Sequence, residues 1–114
     1  MGLDNHHQDE AMGVQIRQTM MLARHPNVAV KLSALPCFST APYPFRNIHA
    51  HLRRIIGAFG PSRSFWGTDL SRLPESCSYR QCVTAFTEEM SFLSPLDKEW
   101  IMGRGIAEWL GWRL

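Results

Sequence analysis

The aspartate at position 69 is the residue of this sequence best placed to do chemistry. Asp69 closes a short aromatic stretch, 64–69, that has the composition of a strand, and a proline-containing loop follows it. In α/β proteins, ligands bind beyond the carboxyl ends of the strands. A carboxylate there can ligate a metal ion or take a proton from a bound water molecule. The alternative interpretation is that Asp69 only caps the turn after the strand.

Two basic residues and one cysteine lie where they could meet a substrate. Lys31 is in a second predicted strand, and it either points toward substrate or donates to a structural partner. Arg72 follows Asp69 by three residues, and its guanidinium could hold a substrate carboxylate through two parallel hydrogen bonds. The alternative for Arg72 is a solvated loop arginine. Cys37 lies in the loop after the strand of Lys31 and is interpreted as a small apolar filler.

A His-Ala-His motif at 49–51 has the spelling of a metal-binding pair, but it lies within a helical pattern. Side chains two residues apart on a helix point about 200° apart. We therefore predict two solvent-facing helix histidines instead of a chelating pair. The three cysteines do not have zinc-finger spacing either, and their odd number, with no secretory signal, favours reduced thiols in a cytoplasm.

Hydrophobic periodicity predicts the elements that position these residues. Helices are predicted at 11–24, 46–59, 79–93 and from Ser94 onward with a break near Gly103 and Gly105, and strands at 27–33 and 64–69. The alternation of helices and strands predicts an α/β fold with a parallel strand pair. Because two strands cannot complete such a fold, the chain is expected to be part of a larger unit or one partner in an oligomer.

Composition sets broad limits on the class of protein. The 114 residues, 45% hydrophobic and 19% charged, suit one globular domain over 1–114, with 1–10 expected to be flexible. No apolar run approaches the ~18 residues of a membrane helix. The net charge is only +2 and the ten arginines are scattered, so neither a membrane nor a nucleic acid is an expected partner. The polar start has no secretory signal, so a cytoplasmic location is expected.

Three segments, in order along the chain, resemble the amidohydrolase-related family of metal-dependent hydrolases, the amidohydrolase 2 group. Residues 22–33, LARHPNVAVKLS, are similar to the family's hPNvyvKlSg segment. Residues 59–69, FGPSRSFWGTD, are similar to its fGpdRlmwGsDwP segment. Residues 100–112 resemble its closing ilgxNaxrlfgl helix, although Gly105 stands where the family often has asparagine. Together these segments cover most of residues 20–114.

The resemblance implies a (β/α)₈ TIM barrel, of which this chain would be the C-terminal quarter to third. The strands at 27–33 and 64–69 would be the seventh and eighth. Asp69 would match the eighth-strand aspartate that holds the catalytic metal or water and acts as general base. The segment Asp4–His7 could be a remnant of the sixth-strand region, which would make His6 a metal ligand. A flexible N-terminus is the alternative for that segment.

The resemblance also implies a divalent metal, expected to be zinc, and a small-molecule substrate with an ester, lactone or amide carbonyl. Some family members decarboxylate instead. The family's first-strand His-x-His has no counterpart in this sequence, and a barrel of this type takes ~250 residues. We therefore predict that the isolated chain of 114 residues is inactive and that a complete enzyme carries the missing histidines upstream of Met1.

Two other function classes remain open from the sequence. A non-enzymatic interaction protein could keep the partial fold as a scaffold and bury its open strand edges in a homo-oligomer. A nucleic-acid binder is suggested only by the ten arginines and a mildly basic isoelectric point. Oligomeric state tests the first alternative, and salt-dependent retention on DNA tests the second.

Overall fold

Two short parallel strands, β1 (Val30–Ser33) and β2 (Ser64–Gly67), pair in the described part of the chain. The structure, a computed structural model, describes residues 10–34, 39–69, 71 and 77–113. Val30 lies beside Ser64 and Ser33 lies beside Gly67 in the register. The predicted α/β architecture with a parallel pair is confirmed, but both strands are shorter than predicted. β1 starts late because Val28 N–H donates to the His25 carbonyl in a turn at 3.1 Å.

Five α-helices lie in the described part of the chain, together with two 3₁₀ turns and one π turn. The helices are α1 (Glu10–Met21), α2 (Arg46–Phe59), α3 (Tyr79–Thr87), α4 (Pro95–Glu99) and α5 (Gly105–Trp109). The turns are 3₁₀ at Leu22–Arg24 and Pro61–Arg63, and a π turn at Trp100–Arg104. Because α2 connects β1 to β2, the strand pair is a parallel crossover unit.

Helix α2 has the bounds that its hydrophobic spacing predicts. Its apolar residues recur every three or four positions, so they share one face, and that face is buried. The buried residues are Ile48, Leu52, Ile55, Ile56 and Phe59. The helix ends at Gly60, whose φ of 82° is a conformation that favours glycine, and the Gly60 N–H donates to the Ile56 carbonyl at 2.7 Å.

The predicted helix over 79–93 is wrong in its length, because α3 ends at Thr87. Met90 and Leu93 are buried as the stripe predicts, but they reach the core from turns. The Lys98 ammonium donates to the Thr87 carbonyl at 2.9 Å and satisfies an acceptor at the end of the helix. The start of α4 is confirmed, since Ser94 and Asp97 form a reciprocal capping box.

The break near Gly103 and Gly105 is also confirmed. Gly103 has φ 176° and ψ −38°, which interrupts the helix, and α5 resumes at Gly105. Gly105 is buried, and a Cβ there would lie 2.9 Å from the Trp100 carbonyl oxygen and 3.1 Å from the Phe65 ring. This crowding explains why glycine stands at a position where the resemblance leads one to expect asparagine.

The two faces of the sheet differ in what covers them. Val30 and Leu32 belong to the main core together with apolar residues of α1, α2 and α3. On the opposite face Phe65 is buried against α5, where its ring meets that of Trp109 at a centroid distance of 5.9 Å. Lys31, which lies beside Phe65 in the register, is exposed. The face that carries Lys31 is therefore only partly covered by the described residues.

Candidate functional site

The carboxyl ends of β1 and β2 meet at one edge of the sheet, because the strands are parallel and Ser33 lies beside Gly67. Each strand is followed by a residue other than glycine in the left-handed region, Ala34 with φ 58° and Asp69 with φ 50°. The backbone therefore turns away from the sheet at the same end after each strand. A ligand-binding loop cluster in an α/β protein forms at this end of the strands.

Asp69 lies two residues beyond the end of β2, and its side chain is exposed. The Ser71 hydroxyl donates to the Asp69 carboxylate Oδ1 at 3.3 Å. Aspartate tolerates the left-handed backbone better than most residues. An accessible carboxylate with this placement can accept a proton from water or bind a cation. The short-range contact with Ser71 also suits a turn cap, so the structure keeps both interpretations of Asp69.

Lys31 is exposed but does not lie at the strand ends. Since it pairs in register with Phe65, four residues separate its level in the sheet from Asp69, which is at most about 13 Å of extended chain. Its side chain instead borders a groove of about 260 Å³ along the β1 side of the sheet, lined by Thr19, Leu22, Val28, Ala29, Val30, Lys31 and Phe59. The structure therefore does not bring Lys31 and Asp69 together, and a substrate contact for Lys31 stays a prediction.

The other site residues named from the sequence, Arg72 and His6, lie outside the described residues, as does Cys37. Within the described ranges, His, Cys, Asp and Glu side chains nowhere form a group of three that could hold a metal ion. The described residues contribute Asp69 as a single candidate ligand, and a catalytic zinc takes about three protein ligands. They do not by themselves fit a metal centre.

The two helix histidines were wrongly predicted to face solvent. His49 and His51 are both half-buried on α2. The His49 Nε2 lies 2.8 Å from the Pro44 carbonyl oxygen. A carbonyl can only accept, so Nε2 carries the proton and donates it. His49 thus ties the segment before α2 to the helix, a structural role that suits a side chain not used for chelation.

Helix α3 is hydrogen-bonded to two residues near the carboxyl ends of the strands. The Tyr43 hydroxyl, on the connection from β1 to α2, lies 2.7 Å from the Thr84 hydroxyl. The Trp66 indole, on β2, donates to the Cys82 carbonyl at 3.2 Å. These contacts join residues far apart in the sequence, and nothing in the local pattern around Tyr43 or Trp66 indicates a partner on α3. Sequence reasoning therefore missed them.

Sequence reasoning also missed the role of Arg63, which lies at the opposite end of the sheet. It directly precedes β2, and its guanidinium donates to four backbone carbonyls. These are Phe59 at 3.0 Å, His25 at 2.8 Å, Val28 at 2.9 Å and Ala23 at 2.9 Å. The guanidinium carbon also lies 5.5 Å from the centre of the Phe59 ring. The only local signal is an arginine between a Gly-Pro turn and an aromatic strand.

Comparison with known proteins identifies the relationship that the three segments suggested. The model of the amidohydrolase family matches residues 5–112, which is nearly the whole chain. Comparisons with curated proteins and with solved structures gave no significant match. No helix within the described ranges has the length and hydropathy to span a bilayer. The family match includes the segment that ends in Asp69 and the segment that contains Lys31.

Proposed function

This chain belongs to the amidohydrolase family, and we propose that it supplies one wall of a hydrolase active site in which Asp69 is the general base. In this reaction a water oxygen attacks the carbonyl carbon of an ester, lactone or amide. The water proton passes to a carboxylate oxygen of Asp69 and is later returned to the leaving group. A positioned general base of this kind contributes roughly 10²–10⁴-fold to a rate.

The observation that carries the proposal is the placement of Asp69. It is an exposed carboxylate beyond the carboxyl end of a parallel strand, next to the end of a neighbouring strand. This is the end at which barrel enzymes of the α/β class hold their substrates. Its accessibility leaves room for a water molecule and a small carbonyl compound, which a buried turn cap would not.

Metal binding is the part of the family's chemistry that the described residues do not supply. The family is generally metal-dependent, and a divalent ion, zinc by the resemblance, would need ligands besides Asp69. We propose His6 as one of them, with Arg72 and Lys31 as substrate contacts. No step of the proposed reaction is assigned to the metal, because the described side chains do not form a site for it.

The proposed fold of the whole enzyme is a (β/α)₈ barrel in which β1 and β2 are the seventh and eighth strands. Among the described residues, neither strand has a second neighbour in the sheet. A parallel sheet is stable when several strands pair and both faces are covered. Exposed apolar residues on α1, Val14 and Met21, suit a helix that packs against a further unit of such a barrel.

The direct test is hydrolysis by the protein expressed from its whole reading frame. A panel of esters, lactones and amides is assayed with added divalent ions, and Asp69→Asn is expected to lower kcat roughly 10²–10⁴-fold. Asp97→Asn is the matched control, since an asparagine oxygen can still accept from the Ser94 N–H in the capping box. An undiminished rate with Asp69→Asn contradicts the proposal. Release of CO₂ from a carboxylic acid instead of hydrolysis assigns the protein to the decarboxylating members.

Self-association is the second candidate function, and the exposed surface beside β1 favours it. Met21 and Leu22 are 62% and 50% exposed, and Leu22 borders the groove along β1. A second copy of the chain would cover these side chains and the unpaired strand edge. Leu22→Glu is then expected to shift the protein toward monomer in sedimentation velocity, whereas Gln18→Glu, on the exposed side of α1, is not. A monomeric wild type rejects this candidate.

A further inference from the structure

The register between β1 and β2 needs a structural cause that neither strand provides. Each strand has four residues, and the connection between them is a long crossover instead of a tight turn. A tight turn would fix the pairing, but a crossover does not. A slip of one residue would turn the buried Val30 and Leu32 outward, yet a slip of two would keep the same faces buried.

Arg63 makes contacts that distinguish these registers. Its backbone is joined directly to Ser64, the first residue of β2, which pairs with Val30. Its guanidinium Nη1 donates to the carbonyls of His25 and Val28, in the turn that leads into β1. Both strands therefore begin from a single point of attachment. Moving β2 by two residues would shift its start by roughly 6.6 Å and pull the guanidinium away from those carbonyls.

At the far end of the pair, a close approach limits the same movement. A Cβ on Gly67 would lie 3.3 Å from the Ser33 Cβ, so the backbones pass each other there with little space. A side chain in place of Gly67 would require Ser33 to shift by a few tenths of an ångström. The carbonyl contacts of Arg63 stabilise the observed register. The crowding beside Ser33 disfavours registers that would place a residue larger than glycine there.

We propose that Arg63 is a positioning residue, whose guanidinium sets the β1–β2 register and thereby places Asp69 beside the carboxyl end of β1. The inference rests on the proposed function where it concerns the role of Asp69. It rests on geometry alone where it concerns the register. The guanidinium acts through the backbone and lies at the opposite end of the strands from Asp69.

The chemistry of the four contacts explains why lysine would not be equivalent. A guanidinium carries five N–H donors in a planar fork, so it can reach carbonyls from separate segments at once. The three donors of a lysine ammonium radiate from one atom. Arg63→Lys therefore keeps the positive charge and loses most of the bridge between the turn before β1 and the start of β2.

The test is the register itself, measured by nuclear magnetic resonance on the labelled full chain. The wild type is expected to give one set of interstrand Overhauser effects, linking Val30 with Ser64 and Leu32 with Trp66. Arg63→Lys and Arg63→Gln are expected to add a second set, displaced by two residues and populated to roughly 10%. Leu52→Ala is the control, because it removes core packing on α2 without touching the carbonyl contacts, and it should keep one set.

Activity provides the second readout. In the protein expressed from its whole reading frame, Arg63→Lys is expected to lower kcat roughly 10–100-fold with KM little changed, because a misplaced base slows chemistry more than binding. If both Arg63 variants keep the single wild-type set of interstrand effects, or if Leu52→Ala gains the second set equally, the inference is overturned. If the register shifts but no variant, nor the wild type, hydrolyses any substrate, the register role stands and the proposed function fails.

Discussion

The two ends of the β1–β2 sheet are built in opposite ways. At the amino end, Arg63 donates to four carbonyls and the fully buried Ser64 hydroxyl donates to the Gly60 carbonyl at 2.9 Å. At the carboxyl end, Asp69 is exposed and its side chain meets Ser71 in the same turn. Arg63 and Ser64 thus join the amino end to neighbouring backbone, whereas the Asp69 carboxylate at the carboxyl end is accessible to a ligand.

The largest expected effect on stability comes from removing the hydrogen bonds of Arg63 at the amino end of the sheet. Arg63→Met leaves backbone carbonyls without their donor, and we expect the free energy of unfolding to fall by about 2–4 kcal/mol. Urea denaturation followed by tryptophan fluorescence measures the loss. Arg54→Met, at an exposed position on α2, should change stability by less than about 0.5 kcal/mol. Equal losses for the two variants would show that the carbonyl contacts of Arg63 add no stability beyond that of an exposed arginine.

The second effect concerns packing at the amino end. Gly105→Ala would place a methyl group 3.0 Å from the Ser62 carbonyl oxygen and 3.1 Å from the Phe65 ring. Backbone atoms cannot move aside easily, so we expect a loss of about 1–3 kcal/mol, measured as a lower midpoint of thermal unfolding. Gly57→Ala is the matched control, since a Cβ there meets nothing within 4 Å and alanine suits a helix better than glycine. A stable Gly105→Ala variant would contradict the crowding.

At the carboxyl end of β1, a substitution is expected to raise the free energy of unfolding instead of lowering it. Ala34 is buried with φ 58°, a conformation that costs a residue with a Cβ roughly 1–2 kcal/mol. Ala34→Gly relieves this strain but gains freedom in the unfolded chain, so we expect a net stabilisation of up to about 1 kcal/mol. Chemical denaturation measures it against Ala58→Gly within α2, which should destabilise by a similar amount.

The smallest expected effect on stability is at Asp69. Asparagine tolerates the left-handed region and can still accept from the Ser71 hydroxyl. Asp69→Asn should therefore change the free energy of unfolding by less than about 0.5 kcal/mol, although it removes the proposed base. Denaturation and activity measured on the same preparation separate the two consequences. A large loss of stability would favour the turn-cap interpretation of Asp69.

Much of the local structure could be predicted from the sequence, because its causes are local. The bounds of α2 follow from the spacing of its buried residues, and the start of α4 follows from Ser94 and Asp97. The length of α3 could not be predicted, because Met90 and Leu93 keep helical spacing while the backbone turns. Periodicity reports which side chains are buried, and two different backbones can bury the same ones.

From the sequence, a candidate site residue could be predicted only where its place at the end of a strand indicates that it meets a ligand. Asp69 could be found because it follows a strand and precedes a loop. Arg63 and Tyr43 could not, since their partners lie on other elements and are mainly backbone carbonyls or a distant hydroxyl. Lys31 shows the converse: its strand was predicted, but only the register places it far from Asp69.

The contacts of Arg63 have a consequence for how this sequence can change. The guanidinium binds Ala23, His25 and Val28 only through their backbone carbonyls, so these hydrogen bonds make no demand on the three side chains. A substitution at any of the three positions leaves the carbonyl acceptor for Arg63 in place, since every residue carries the same backbone oxygen. Methods that detect contacts from paired substitutions would therefore miss the link between Arg63 and the turn before β1, although it joins both strands.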